Sequence, residues 1–570
     1  MSIAGEPSGR RTGRERGPAM PERGVRSFLQ ERVSATGLVL AGTFFALSLT
    51  PSLMPRDPVV QGVLGGVVAA VGYEVANLVR SVWRWLGLPD LLRPRPRPAL
   101  RVGLALALAC AAVGLWLAPG WQDATRRVVG LPPVEDFHRA LIAGVALPLF
   151  LLVWGAGRIV GVLGRRLSRW GRRYLPPRIA AVGAIVLVAA LVSVLVNGVL
   201  LRAALGAADA SFAAADVFLD PEQPAPVDPE RTGGAASLLR WEDLGRWGRD
   251  FVHRTPTAAQ LASLTGRPAT EPIRVYVGRR SAETAEERAR LAVAELVRVG
   301  GFDKGTLVVA IPPGTGWMDP GAHDTVEAML DGDVATLGVQ YSYLTSVLSL
   351  WVAPEYGLEQ GAALFDAVYE EWRSRPPEER PRLYVFGLSQ GALNSQAGFP
   401  LLDMLADPID GALWAGSPFL SPLWQRVRDG RDPESPVWRP RYGNGSLIRV
   451  MSQEGFDPEP ADPWGPLRIV LLNYPSDAIV HFTPVSALRR PAFLAGPRAP
   501  DVSPELRWFP VVTMFQMALD MVVALQVPGH GHYYVAEDYI DAWAALVDPP
   551  DWTPARRDAL AAAFRDREAF

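Results

Sequence analysis

The sequence predicts two architectures in series: an N-terminal all-α region that crosses a membrane several times, then an α/β domain whose mostly parallel sheet is covered by helices. Three observations predict them. Five apolar runs, each about as long as the ~20 residues a bilayer requires, lie before Arg202. From Pro272 onward, short apolar runs alternate with helix-like stretches, the pattern of a parallel sheet with crossover helices. Within that alternation, Gly387-Leu388-Ser389-Gln390-Gly391 forms a G-x-S-x-G between a strand-like run and a helix-like one.

Composition narrows the function classes. Among 570 residues, 57 basic and 59 acidic side chains give a formal net charge of −2, so the overall charge argues for no nucleic-acid or other polyanionic partner. Lysine occurs once, at Lys304, so the positive charge is almost all guanidinium, and it is concentrated in the first third. The single cysteine, Cys110, lies inside an apolar run. That excludes an intrachain disulfide and a C-x-x-C zinc or redox site. No metal and no cofactor is expected. Oligomeric state is not readable.

Residues 1–35 are polar and arginine-rich (Arg10, Arg11, Arg14, Arg16, Arg23, Arg26, Arg32). The stretch is too long for a signal leader, and no small-residue cleavage site follows the first apolar run, so it reads as a cytosolic tail. Residues 36–202 form the membrane region, with about five transmembrane helices at Gly37–Leu53, Val59–Val79, Val102–Leu117, Leu141–Val162 and Ile179–Leu201. The second carries Gln61 and Glu74. Arginine is dense between the second and third runs (Arg80 to Arg101) and between the fourth and fifth (Arg165 to Arg178), and sparse in the other two connections. The positive-inside rule then places the N-terminus in the cytoplasm and everything after Leu201 outside.

Residues 203–270 read as a connector. Pro221–Pro229 is proline-rich, and Ser237–Val252 has the period of an amphipathic helix that packs on the following domain. Residues 271–550 form the α/β domain. Its expected strands are Ile273–Val277, Thr306–Ile311, Val334–Tyr341, Leu383–Phe386, Ala412–Ala415, Arg468–Asn473 and Leu506–Thr513. Ala282–Val299, Leu358–Arg373 and Met514–Gln526 read as helices, and Ser421–Pro466, rich in Pro, Gly, Arg and Trp, as an irregular excursion over the site. Residues 551–570 form a C-terminal helix.

A strand, a tight turn holding a serine between glycines, and a helix make the context of a nucleophile elbow. Gly387 and Gly391 have no Cβ to block the neighbouring backbone, and the helix N-terminus aims free N–H groups at the place where an oxyanion forms. A serine hydroxyl needs an adjacent base, and the base needs an orienting acid; on such a sheet they follow in the order serine, acid, histidine. Asp477 stands just past the strand Arg468–Asn473, where ligands meet open α/β sheets. His530 and His532 lie in the glycine-rich stretch Gly529-His530-Gly531-His532-Tyr533-Tyr534. Their spacing does not decide which is the base, and without a carboxylate or thiol cluster they do not make a metal site. The oxyanion donors are expected from Gln390, the residue after the nucleophile, and from Thr315 and Gly316 in the loop after Thr306–Ile311.

Seven stretches carry a resemblance: SLTPSLMPR (Ser48–Arg56), RVYVG (Arg274–Gly278), AIPPGTGWMDP (Ala310–Pro320), GDVATLGVQYSYL (Gly332–Leu344), RPRLYVFGLSQGA (Arg380–Ala392), SDAIV (Ser476–Val480) and PGHGHYY (Pro528–Tyr534). With them the chain resembles the actinobacterial membrane-anchored α/β-hydrolase family, from about Ser34 onward. The resemblance implies an α/β-hydrolase fold with Ser389 as nucleophile. Leu388 and Gln390 depart from the acidic residue and leucine that more often flank that serine, so no substrate carries over.

These readings converge on a membrane-anchored, lipase-like serine esterase, a hydrolase of the cell membrane with an extracytoplasmic catalytic domain. Its expected partners are membrane lipids and an acyl-ester substrate of the cell envelope. An acyltransferase with the same triad, and a catalytically silent envelope-binding module, are the rival readings.

Overall fold

The computed structural model describes residues 33–88, 96–195, 216, 218–220, 222–344, 349, 354–398, 404, 407–458 and 461–565. The expected cytosolic tail as far as residue 32, the end of the fifth apolar run and the start of the connector lie outside the described residues.

Each of the five apolar runs holds a helix: α1 (Ala35–Ser48), α2 (Pro58–Trp85), α3 (Pro96–Val128), α4 (Arg139–Gly171) and α5 (Pro177–Ser193); the first run leaves its helix at Ser48, and Leu49–Leu53 belong to the following loop. Three of them, over Pro58–Trp83, Arg97–Val128 and Arg139–Gly171, are long and apolar enough to cross a membrane; α1 and α5 are apolar but shorter. Gln61 of α2 is buried and satisfied: it donates to Ser48 O at 3.2 Å and accepts from Arg56 at 3.2 Å.

Small residues set the helix packing. A Cβ on Gly42 would lie 2.5 Å from Ala107 O, and one on Gly114 2.8 Å from Ala46, so α1 and α3 touch backbone to backbone and run the same way. Gly66 meets Ala146 O in the same manner, which pairs α2 with α4. Gly37 against Tyr73 and Gly65 against Phe45 set α1 antiparallel to α2. The chain therefore passes up and down the bundle. The α2–α3 and α4–α5 connections fall at one end, and the α1–α2 loop at the other.

Two short helices, α6 (Gly245–His253) and α7 (Ala258–Thr265), precede the sheet. Leu239, Trp241, Leu244 and Phe251 belong to the same buried cluster as the sheet, so this part of the connector packs on the domain. The following elements are β1 (Ile273–Val277), α8 (Ala285–Arg298), β2 (Thr306–Ile311), α9 (Pro320–Met329), β3 (Val334–Val339), α10 (Pro354–Ser374), β4 (Arg382–Leu388), α11 (Gln390–Ala397) and β5 (Gly411–Ala415). Then come α12 (Pro422–Asp429), β6 (Ile448–Ser452), β7 (Gly455–Phe456), β8 (Arg468–Leu472), α13 (Ala478–His481), α14 (Val512–Asp520), α15 (Ala536–Val547) and α16 (Pro554–Arg565).

The sheet order is β1-β3-β2-β4-β5-β8-β6-β7, parallel except for the β6–β7 pair. β2, β3 and β5 are buried at every position, as expected of parallel strands covered by helices. Polar caps start several of the flanking helices: Thr284 opens α8 with a full capping box to Glu287, and Asp319 caps α9. β4 lies between β2 and β5, with Leu388 opposite Ala415, so its C-terminal end opens at the middle of the sheet.

Two expectations are corrected. Leu506–Thr513 is not a strand; the chain there is irregular and enters α14 at Val512. Pro510 removes a ladder donor, and Phe509, Val511 and Val512 pack instead against Phe44 of α1 and Leu64 and Val68 of α2. The stretch Ser421–Pro466 is not wholly irregular. It supplies α12, the inner strand β6, which pairs with β8, and the edge strand β7.

Candidate active site

Ser389 follows β4 directly and caps the N-terminus of α11 at φ 58°, ψ −123°. A non-glycine residue is held there only by its surroundings. Its N–H donates to Ala415 O at 2.9 Å, which ties the turn to the end of β5. A Cβ on Gly387 would lie 2.7 Å from Ala392 N, and one on Gly391 1.9 Å from Ile311 O. Both glycines are therefore required by close backbone approach, and Gly391 seats the elbow against the end of β2.

Asp477 stands after β8 as the N-cap of α13, completely buried. One carboxylate oxygen accepts from Ile479 N at 2.8 Å; the other accepts from His532 Nδ1 at 2.6 Å and from Tyr534 OH at 2.9 Å. The carboxylate fixes the tautomer, with the proton on Nδ1 and the basic lone pair on Nε2. His532 Nε2 is buried and makes no hydrogen bond among the described residues. The ring lies over Gly416, where a Cβ would come within 2.4 Å of Cε1. Gly416 is the residue after Ala415, the acceptor of the Ser389 N–H. One strand end thus touches both the serine and the histidine.

His530 goes elsewhere. Its backbone N–H donates to Val527 O, its Nδ1 has no partner among the described residues, and burial lowers its pKa against the pull of Asp501. The structure brings His532, and not His530, to Asp477. His323 and His481 are buried beneath aromatic rings, and burial pushes them down to about 3 and about 4. Among the described residues, no three His, Cys, Asp or Glu side chains gather as a metal site.

The loop after β2 runs beside the elbow. Tyr276 OH donates to Gly316 O at 2.7 Å and Gln340 Nε2 to Thr315 O at 3.0 Å, which pins the loop from below. Gly316 has φ +88° and its N–H is spent on Pro313 O at 2.8 Å. Of the two loop donors expected from the sequence, Thr315 N–H is the one with no partner among the described residues. Gln390 begins α11, so its N–H is one of the free donors of that helix start.

Sequence reasoning missed three supports. Tyr534 is a second donor to Asp477; it lies in the PGHGHYY stretch, two residues beyond His532. Gly416, at the end of an expected strand, was a readable sign of close approach. Ser476 Oγ accepts from Gly531 N at 2.8 Å, and Ser476 N donates to Asp501 at 3.0 Å, so the acid loop and the histidine loop are stitched together.

The chain is similar to known proteins over most of its length. A family model described as an alpha/beta-hydrolase family matches residues 273–560, and the model for the N-terminus of the same family matches residues 49–256. No curated protein matches. Among solved structures, a Trichoderma reesei cutinase in complex with a C11Y4 phosphonate inhibitor aligns at 13% identity over 42% of this chain and 88% of its own, with a TM-score of 0.19. A score that low carries no argument.

Proposed function

The chain belongs to the alpha/beta-hydrolase family, and from that premise we propose that it is a membrane-anchored serine esterase with the triad Ser389, His532 and Asp477. The observation that carries the reading is the 2.6 Å His532–Asp477 contact, with Nε2 left without a partner among the described residues, on the same strand end, Ala415–Gly416, that holds Ser389. Ser389 Oγ attacks the acyl carbonyl while His532 Nε2 takes its proton, and Asp477 stabilises the imidazolium. The tetrahedral oxyanion is held by the N–H groups of Gln390 and Thr315. Collapse expels the alcohol, protonated by His532. Water, activated by the same nitrogen, then releases the acid and restores the serine.

The anchoring part rests on three long apolar helices, close glycine contacts of the kind that join helices in lipid, and arginine-rich connections at the bundle end away from the catalytic domain. Acyl esters of membrane lipids or of the cell envelope are the proposed substrates. Supporting this, α14, ahead of the histidine loop, packs on α1 and α2.

Fluorophosphonate labelling of the full chain in detergent tests the triad. Wild type takes up the probe and Ser389→Ala does not. His532→Gln loses about 10³-fold or more in kcat on a short-chain ester, while His530→Gln stays within about threefold of wild type. Folded wild type that remains unlabelled, or undiminished labelling of Ser389→Ala, removes the nucleophile assignment. Faster turnover of soluble esters than of acyl lipids in mixed micelles removes the substrate assignment alone.

A further inference from the structure

The loop between α1 and α2 is buried from Thr50 to Arg56, although connections between helices ordinarily run over the surface. What buries it is the segment leading to His532. Asp520, the last residue of α14, accepts from Ser52 Oγ, Leu53 N and Arg56 Nε, each at 3.0 Å. Arg56 and Asp520 are a fully buried ion pair at 2.9 Å. Gln516 Nε2 donates to Thr50 O at 3.0 Å.

Two side chains of the loop reach the reacting groups' neighbours. Leu53 shares an apolar cluster with Ala478, the residue after Asp477. Met54 packs with Val523 and Val527, and a Cβ on Gly531, the residue before His532, would lie 2.9 Å from Met54 Sδ. The flank of the acid and the flank of the base therefore rest on adjacent residues of the helical region.

We propose that Leu53, Met54 and Arg56 are positioning residues of the active site, and that the N-terminal helical region is a working part of the catalytic unit rather than an anchor alone. The proposal rests on His532 being the base. Arg56 and Asp520 clamp the α1–α2 loop to the end of α14, and Met54 then sets where Gly531 and His532 sit relative to Asp477 and Ser389. A displacement of about 1 Å at a base can cost about 10²-fold in rate.

The test uses the full chain in detergent with Met54→Ala, the volume-conserving Met54→Leu, and Leu525→Ala as an exposed neighbour. A short soluble ester needs no route through lipid, so its turnover reports position and not delivery. Met54→Ala should lose about 10- to 100-fold in kcat with KM within about twofold, and move the acid limb of the pH–kcat profile. Met54→Leu should restore both, and Leu525→Ala should match wild type. Hydrogen exchange of residues 524–532 should rise in Met54→Ala while that of β4 and α11 stays as it was. A folded Met54→Ala protein with wild-type kcat and pH profile overturns the proposal, whatever its exchange. If wild type itself turns over no ester and takes up no probe, the triad reading has failed. The positioning role then falls with it, whereas an active wild type beside an equally active Met54→Ala overturns the positioning role alone.

Discussion

Ser389 sits at a backbone conformation that costs a side-chain-bearing residue on the order of 1–3 kcal/mol. Glycine accepts it freely but brings about 0.5–1 kcal/mol of extra chain entropy in the unfolded state. Ser389→Gly should therefore raise the thermal midpoint by a few degrees while abolishing probe uptake; a lowered midpoint in a thermal melt would mean that the turn holds no strain. The serine and its glycines were readable from sequence because the whole device is local, five residues long. The choice between His530 and His532 was not. They share one glycine loop, and what separates them is Asp477, 55 residues earlier in the chain from His532. Tyr534 was hidden for the same reason: its role exists only through a carboxylate brought to it by the fold.

Asp319 caps α9 and accepts from Tyr539 OH of α15 at 2.8 Å, so one carboxyl joins two helices. Burial pushes its pKa up from 3.8 to about 7, more than the bonds from Tyr539 and Gly321 pull it down. The folded state then holds a proton that the unfolded chain has released between about pH 4 and pH 7. Stability falls by roughly 1.4 kcal/mol per pH unit across that window. Asp319→Asn removes the titration, so its melting midpoint relative to wild type should climb from pH 5 to pH 8; a constant difference would mean that the carboxyl ionises normally. Among the elements, the central strands announced themselves, because β2, β3 and β5 are buried on both faces and read as nearly continuous apolar runs, with threonine as their most polar residue. β7 is a two-residue, half-buried edge strand, and β6, although largely buried, lies in a proline-rich stretch and carries Arg449. The start of α14 read as a strand because Val511 and Val512 are β-branched. Contacts with α1 and α2 override that preference, and no local pattern encodes them.

For the molecule as a whole, the proposed topology puts the catalytic domain outside and the N-terminus inside. Val227 is 99% exposed in the connector. In a Cys110→Ala background, Val227→Cys should react with an impermeant maleimide on intact cells, and Ser8→Cys only after lysis; the reverse pattern would turn the protein over. The buried Arg56–Asp520 clamp has a consequence in time. Its partners are 464 residues apart, so at ~5–20 residues per second a ribosome delivers the second roughly 20–90 s after the first. Until then Arg56 has no counter-ion, and the loop that carries it has nothing to hold. Under the proposed function, a nascent chain holds Ser389 and Asp477 well before it holds either the clamp or the base, and both arrive within the thirteen residues from Asp520 to His532.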